Sequence, residues 1–324
     1  MGHSMTSIMT NTSAMAALQT LRGIDQNMET TQNRISSGYK VDSAKDNAAY
    51  WSIATTMRSD NKALSTVQDA LGLAASKADT AYTGLDSSID VLSSIKSKLV
   101  AAREPGVDKD KINQEINELK NQLASIAESA SFSGENWLYN ESTNPPTTKE
   151  MVASFNRASD GTVSVTTLKF NTSESTLIDT QNAENGILTR TTTATWAYGT
   201  TTTTGTYYLL DADSVTPATG TEITLTTDMS NDDLDGMISA VDKMLQDLTD
   251  SASTLGAISS RIESQDTFVK NLSDTIDKGV GRLVDADMNE ESTKIKALQT
   301  QQQLGIQALS IANTNAENIL TLFK

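Results

Sequence analysis

Nucleophilic and metal chemistry draws on imidazoles and thiolates, and this chain offers one histidine, His3, and no cysteine in 324 residues. A Ser-His-Asp relay, an HExxH zinc site and any thiolate cluster therefore lack raw material. Disulfides are excluded outright. Asp211 and Asp213 could touch a cation, but two carboxylates are too sparse for a calcium loop. Asn11, Asn140, Asn171 and Asn271 open N-x-Ser/Thr triplets, which arise commonly by chance. Exposed Ser and Thr of the middle segment could carry O-linked sugars or stay unmodified. No catalytic, cofactor or metal residue is expected, and the chain reads as a non-enzyme.

The bulk chemistry narrows the partners. Net charge is -16 and the isoelectric point is near 4.4. Such a surface repels phosphate backbones and anionic lipid, so neither nucleic acid nor membrane is an expected partner. His3 sits in the leader Met1-Gly2-His3-Ser4, with Met5 as an alternative start. No basic-then-apolar secretory pattern is seen. These signals alone point to the cytoplasm.

The elements that would carry any function are long helices. Alternating steps of three and four residues pick out Ala14, Ala17, Leu21, Ile24, Met28, Thr31 and Ile35. After a break at Ser36-Ser37-Gly38 the same beat runs from Tyr50 through Ile53, Met57, Asp60, Leu64 and onward to Leu99. An average step of 3.5 is the seam of a left-handed coiled coil. Some fifty residues at about 1.5 Å each give a rod of roughly 75 Å. Glu104-Pro105-Gly106 ends it, and a shorter helix over 112–130 follows, with Asp108 as its N-cap.

Residues 140–233 change character. They are Thr-rich and hold Pro145, Pro146 and Pro217. The stretches 162–170 and 221–226 suit strands. The run 191–206 is of low complexity, although Trp196 and Tyr198 lie within it. A small β-containing domain with exposed loops is expected, with partial disorder as the alternative. Helix resumes near Asp232, breaks again over Gly281–Asp287, and restarts with Asp287 as cap. The last helix carries Ile295, Leu298, Gln302, Gly305, Leu309, Ala312, Ala316, Ile319 and Phe323 on the seam.

The layout is nearly palindromic, and the cheapest geometry pairs the two ends and loops the middle outward. The expected class is mainly α: long antiparallel heptad helices from both chain ends, with a small β-containing domain inserted. Leu304, Ala308, Ile311 and Leu322 form a second stripe on the last helix. A helix apolar on two sides needs more than one neighbour. Either these stripes fill an ordinary intramolecular bundle, or the ends pack against other subunits. Gln302 falls on the seam, where a polar group either fixes register or marks a wet flank. Asp60 and Ser88 interrupt the seam in the same way. Gly38 and Gly281 are hinge candidates, with simple helix capping as the plain alternative.

Several words settle the preference. Arg34-Ile35-Ser36-Ser37-Gly38 and Asp42-Ser43-Ala44-Lys45-Asp46-Asn47-Ala48-Ala49 resemble the N-terminal signature of bacterial flagellins. Phe132-Ser133-Gly134 is similar to that family's turn after its third helix. Asp285-Ala286-Asp287, Gln301-Gln302-Gln303 and Asn318-Ile319-Leu320-Thr321-Leu322-Phe323-Lys324 resemble its C-terminal block. Tyr50 to Met57 and Glu135-Asn136-Trp137-Leu138 look like the rhizobial, alphaproteobacterial branch. The resemblance covers residues 5–139 and 234–324 and leaves the Thr-rich middle out.

The resemblance implies a structural subunit that polymerises into the flagellar filament for motility. Residues 1–42 with 285–324 would form the filament core. Residues 43–139 with 234–284 would form the rod around it, and 140–233 the outer domain. It implies secretion through the flagellar type III apparatus without a cleaved signal peptide, which replaces the cytoplasmic expectation. Implied partners are further copies, sister flagellins, an export chaperone and cap or junction proteins. Leu18, Leu21, Ile24, Met28, Ile35, Leu298, Gln302, Leu309, Ile319 and Phe323 are the candidate filament-interface residues. The flagellin-like hook–filament junction protein is the alternative within the same system. A flagellin carrying a metalloprotease lacks its histidines here, and an unrelated coiled-coil adhesin would not predict the two matched Gly breaks. Where many enterobacterial flagellins carry an Arg-Glu-Leu word for the animal innate receptor, this chain reads Ile95-Lys96-Ser97-Lys98-Leu99, which implies weak receptor activation.

Overall fold

The computed structural model describes residues 9–321, apart from the side chains of Ala316 and Ile319. It divides into two compact units, residues 1–61 with 274–324, and residues 62–273. This division is coarser than the three domains expected from composition. Five helices carry most of it: α1 (Thr12–Ser37), α2 (Ala48–Ala101), α3 (Lys109–Ser129), α4 (Asn231–Val284) and α5 (Met288–Thr321). Between α3 and α4 lie nine short strands: β1 (Ser131–Phe132), β2 (Glu135–Asn136), β3 (Tyr139–Asn140), β4 (Thr148–Arg157), β5 (Val163–Asn171), β6 (Ile178–Asp179), β7 (Thr192–Tyr198), β8 (Thr201–Tyr208) and β9 (Thr221–Glu222).

The larger unit follows the seam closely. Leu64, Val67, Leu71, Ala74, Ala78, Ala81, Leu85, Ser88, Leu92, Ile95 and Leu99 of α2 are all buried. Ser88 is a core residue whose hydroxyl donates to the Gly84 carbonyl at 2.7 Å. That bond satisfies the polar group within its own helix. Each fully buried Leu contributes about 1.5–3 kcal/mol of transfer free energy. On α4 the seam is wider than expected. Met237, Ala240 and Met244 join the core beside Leu234, Val241 and Leu248, while Ile238 and Leu245 stay half-buried. α3 supplies Ile116, Leu123 and Ala127, and Asp108 caps it by accepting from the Asp110 and Lys111 amides.

The Thr-rich segment is a set of hairpins within this unit. β4 pairs with β5, and β7 with β8, both antiparallel. The low-complexity run is therefore an ordered hairpin. It alternates strictly, Thr192 and Ala194 inward and Thr193 and Thr195 outward, and Tyr207 is buried opposite Thr192. Trp196 Nε1 donates to Asp232 at 2.8 Å, so the hairpin is fastened to the start of α4. Only Thr221–Glu222 of the expected strand 221–226 is extended pairing. Beyond it Ile223 and Leu225 are buried, and the Leu225 amide donates to Asn113 Oδ1 at 2.8 Å. Phe132-Ser133-Gly134 is a tight turn between β1 and β2, with positive φ at Ser133 and Gly134.

The smaller unit holds α1, α5, residues 48–61 of α2 and residues 274–284 of α4. Its small core is Val41, Ala54, Val280 and Val284, with Met57, Ile276 and Leu283 packed against it. Two expectations are corrected here. Tyr50 and Ile53 are exposed, because the inward residue of α2 is Ala54. The second break begins after Val284, so Gly281 lies inside α4.

Candidate assembly surface

α1 and α5 are an antiparallel pair, and the sequence explains each step of it. Asn11 caps α1 by accepting from the Ala14 amide at 3.0 Å. Its Nδ2 donates to the Ala312 carbonyl on α5 at 2.9 Å. Further along, Gln302 Nε2 donates to Asp25 Oδ1 at 2.7 Å. At the far end Arg34 Nη1 lies 3.3 Å from Glu291 Oε1. Positions 11, 25 and 34 thus meet 312, 302 and 291 in order.

The predicted seam lines the contact. Ala14, Ala17, Leu21, Ile24 and Ile35 are half-buried, and Met28 and Thr31 are buried. On α5, Leu298 is buried, and Ile295, Gln302, Gly305, Leu309 and Ala312 are half-buried. Gly305 allows the close approach, since a Cβ there would stand 3.1 Å from Leu21 Cδ1. Leu18 falls on the outer side and is exposed. The Ile319 side chain and Phe323 lie outside the described residues.

Below the pair, the two chain breaks clasp each other. Gly38 ends α1 at φ 79°, and its amide donates to the Arg34 carbonyl at 2.8 Å. A left-handed cap of this kind suits Gly because no Cβ is strained. The Lys40 and Val41 amides donate to the Val284 carbonyl at 2.8 and 3.2 Å, and the Ala286 amide donates to the Gly38 carbonyl at 2.9 Å. Asp287 caps α5 through the Asn289 and Glu290 amides. In the loop before α2, the Asp46 carboxylate accepts from the Ser43 and Asp42 amides and the Ser43 hydroxyl. The Ser43 amide first, then the Asp42 amide, hold its carboxyl below the usual range. Arg58 lies over the Tyr39 ring, 5.3 Å from its centroid.

Sequence reasoning missed Asp25, Arg34, Val41 and Glu291. Arg34 and Glu291 carry a signal that pairing the two seams end to end would have exposed. Val41 is a lone apolar residue in a polar loop, and only the clasp accounts for it.

What the pair leaves uncovered is as informative. Met15 and Leu18 on α1, and Leu304, Ile306, Ile311 and Leu320 on α5, are exposed. Leu304 and Ile311 are members of the second stripe read from the sequence. From Ala297 to Ala316 there is no charged residue. The uncovered apolar side of α5 is thus uncharged in a chain of net charge -16.

The residues singled out for chemistry have local duties instead. Asp211 Oδ1 accepts from the Asp213 amide at 3.0 Å, a turn with Asp213 at φ 50°. Asn140 Nδ2 is engaged by Asp179 Oδ2 and two carbonyls, and Asn171 caps a short helical turn. Among the described residues no cluster of three metal-ligating side chains is found, and no helix is long and apolar enough to cross a membrane.

This geometry defines a mainly helical protein whose α1 and α5, one near each end of the chain, pair and leave apolar residues exposed. Residues 8–143 match the bacterial flagellin N-terminal helical region, and residues 238–323 match the bacterial flagellin C-terminal helical region. The chain is 64% identical over 321 residues to Flagellin C of Rhizobium meliloti strain 1021, spanning 99% of this chain and all of that one. It is 48% identical over 394 residues to Flagellin A of the same strain, and 41% identical over 325 residues to a flagellin of Brucella melitensis. Each alignment covers 99% of this chain and all of the relative. The chain belongs to the bacterial flagellin family, a family of structural proteins and not of enzymes. It is a structural subunit of the extracellular flagellar filament, a polymer of flagellins.

Proposed function

We propose that polymerisation runs through the face left open by the α1–α5 pair, and that this face becomes the filament core. The observation that carries the reading is that Met15 and Leu18 of α1, and Leu304 and Ile311 on one stripe of α5, stay exposed on a pair already joined through other residues. Within α1 only Met28 and Thr31 are buried. Ordering a residue costs about 1–2 kcal/mol of backbone entropy, more than so thin a contact returns. The terminal helices therefore gain their full order on assembly, when neighbours bury the open stripe.

In this reading residues 1–42 with 285–324 line the core, 43–139 with 234–284 form the surrounding shell, and 140–233 face outward. Leu21, Ile24, Met28, Ile35, Leu298, Gln302 and Leu309 hold the pair, and Leu18 faces the neighbour. Gly38 and Gly281 absorb bending near the clasp. Export proceeds without a cleaved signal peptide, with a chaperone on the way out and cap or junction proteins at the filament ends. Sister flagellins share the filament. With the Leu of the receptor word set on Leu99, Lys98 stands where that word would offer a carboxylate, and it pairs with Glu115, in keeping with weak receptor activation.

The test is negative-stain electron microscopy of the purified chain after adding filament seeds or a precipitating salt. Long uniform filaments are expected. Monomers or short rings would instead favour the junction role or a need for sister subunits.

A further inference from the structure

The first turns of α2 are arranged the wrong way round for a monomer. The residue sent inward is Ala54, 1% exposed, while Tyr50, Trp51 and Ile53 are 43%, 38% and 49% exposed. At about 100° per residue, Ile53, Tyr50, Ala54 and Trp51 span an arc of roughly 160°. Three large apolar side chains thus flank a small one that touches the core. Folding alone would favour the reverse, since burial of Ile or Trp returns far more than burial of Ala.

The stretch Ala48–Met57 contains no charged residue. Copies of a chain with net charge -16 repel one another, so any close contact between them favours uncharged surface. Exposed Trp and Tyr on a neutral patch are also the residue types that dominate binding energy at interface centres.

We propose that Tyr50, Trp51 and Ile53 form a second subunit–subunit contact, distinct from the α1–α5 stripe, whose occupant is another copy of this chain. The proposal rests on the polymer reading above, because a filament subunit meets its own copies at close range. The inverted burial gives the patch its purpose: Ala54 keeps α2 close to Val41, Val280 and Val284, and the large side chains stay free for the neighbour.

Trp51 reports on this directly. Of the three tryptophans it alone is exposed; Trp137 is buried and Trp196 is held by Asp232. The experiment compares full-length chain with Trp51→Phe, as monomer and as seeded filament, by tryptophan emission and acrylamide quenching. The difference between the two chains isolates Trp51. On polymerisation its emission should move to shorter wavelength and its quenching should fall several-fold. Ile53→Asp and Trp51→Ser should each raise the critical concentration at least about tenfold, with monomer circular dichroism and melting unchanged.

Filaments in which Trp51 stays as quenchable as in the monomer overturn this contact and leave the polymer reading standing. So does an Ile53→Asp chain that polymerises at the wild-type concentration. Trp51 already shielded in the monomer means that the chain's own residues cover the patch, and overturns the contact too. Failure of the wild-type chain to form any filament under seeding removes the polymer reading and this contact together.

Discussion

Gln302 and Asp25, 277 residues apart in sequence, are joined by a 2.7 Å hydrogen bond across the α1–α5 seam. A polar residue at a seam position fixes which turn of one helix faces which turn of the other, at some cost in stability. Slipping the pair by one turn would leave Gln302 without this partner while most apolar contacts re-form. The register reading of Gln302 is thereby favoured over a merely wet flank. Gln302→Leu should retain or raise stability of the pair but broaden its register, seen as heterogeneous subunit spacing in filaments. Asp25→Ala should cost about 0.5–1.5 kcal/mol, measured as a lower filament melting temperature.

The two sides of the terminal pair should separate by mutation. Ile311→Asp, on the open stripe, should abolish or strongly slow polymerisation while leaving monomer melting unchanged. Leu298→Ala, on the buried side, should destabilise the terminal helices within the filament by about 2–5 kcal/mol at most, less where the pair closes over the gap. Sedimentation velocity and circular dichroism on the same samples distinguish these outcomes.

Lys120 should give the larger unit an alkaline signature. It is 5% exposed, and its ammonium pairs with Glu222 at 3.0 Å. Burial pushes its pKa below the ordinary 10.5, and the Glu222 hydrogen bond and charge oppose the fall. The folded chain therefore releases this proton before the unfolded chain does. Stability gained from Lys120 rises as pH climbs from the folded value to about 10.5, and the cost of the buried charge is fully present below the folded value. Lys120→Met should remove that rise and be neutral or stabilising at pH 7. Glu222→Gln should cost about 1–3 kcal/mol at pH 7, because it weakens the lysine's partner. Urea denaturation at pH 7 and pH 10 tests all three.

Asp46 should make the loop before α2 acid-resistant down to the usual carboxylate range. Its folded pKa is depressed by the Ser43 and Asp42 amides. The stabilising effect is complete above the unfolded value of about 3.9 and is lost as pH falls through the lower folded value. Hydrogen exchange at pH 5 should find the Ser43 amide protected in the wild-type chain and unprotected in Asp46→Ala.

The heptad spacing made most of the helical frame legible, because a seam of 3.5 residues leaves one arrangement that buries Leu64 to Leu99 together. It failed at the start of α2, where spacing alone cannot tell that the neighbours Val41 and Val280 leave room only for Ala54. It placed the second break too early because Gly281 looks like punctuation; the helix ends later, where Asp287 captures the amides of a new one. The α4 seam came out wider because several elements pack around it. The hairpin of β7 and β8 was obscured because Thr occupies both faces, and only Ala194 and Tyr207 betray the inward side. Of the assembly surface, the apolar stripes were readable. Charged links such as Arg34 to Glu291 were not, since they exist only once two distant helices are set in register.

The partners of α1 have one more property, their distance along the chain: Asn11 meets Ala312, 301 residues away. Nothing near α1 in sequence can substitute for α5. A chain broken off early, or still only partly delivered, has an α1 with no mate, no clasp at Gly38 and no finished face to offer. The terminal pair therefore works as a proof of completeness: only a subunit that reaches from Asn11 to Ala312 can close it.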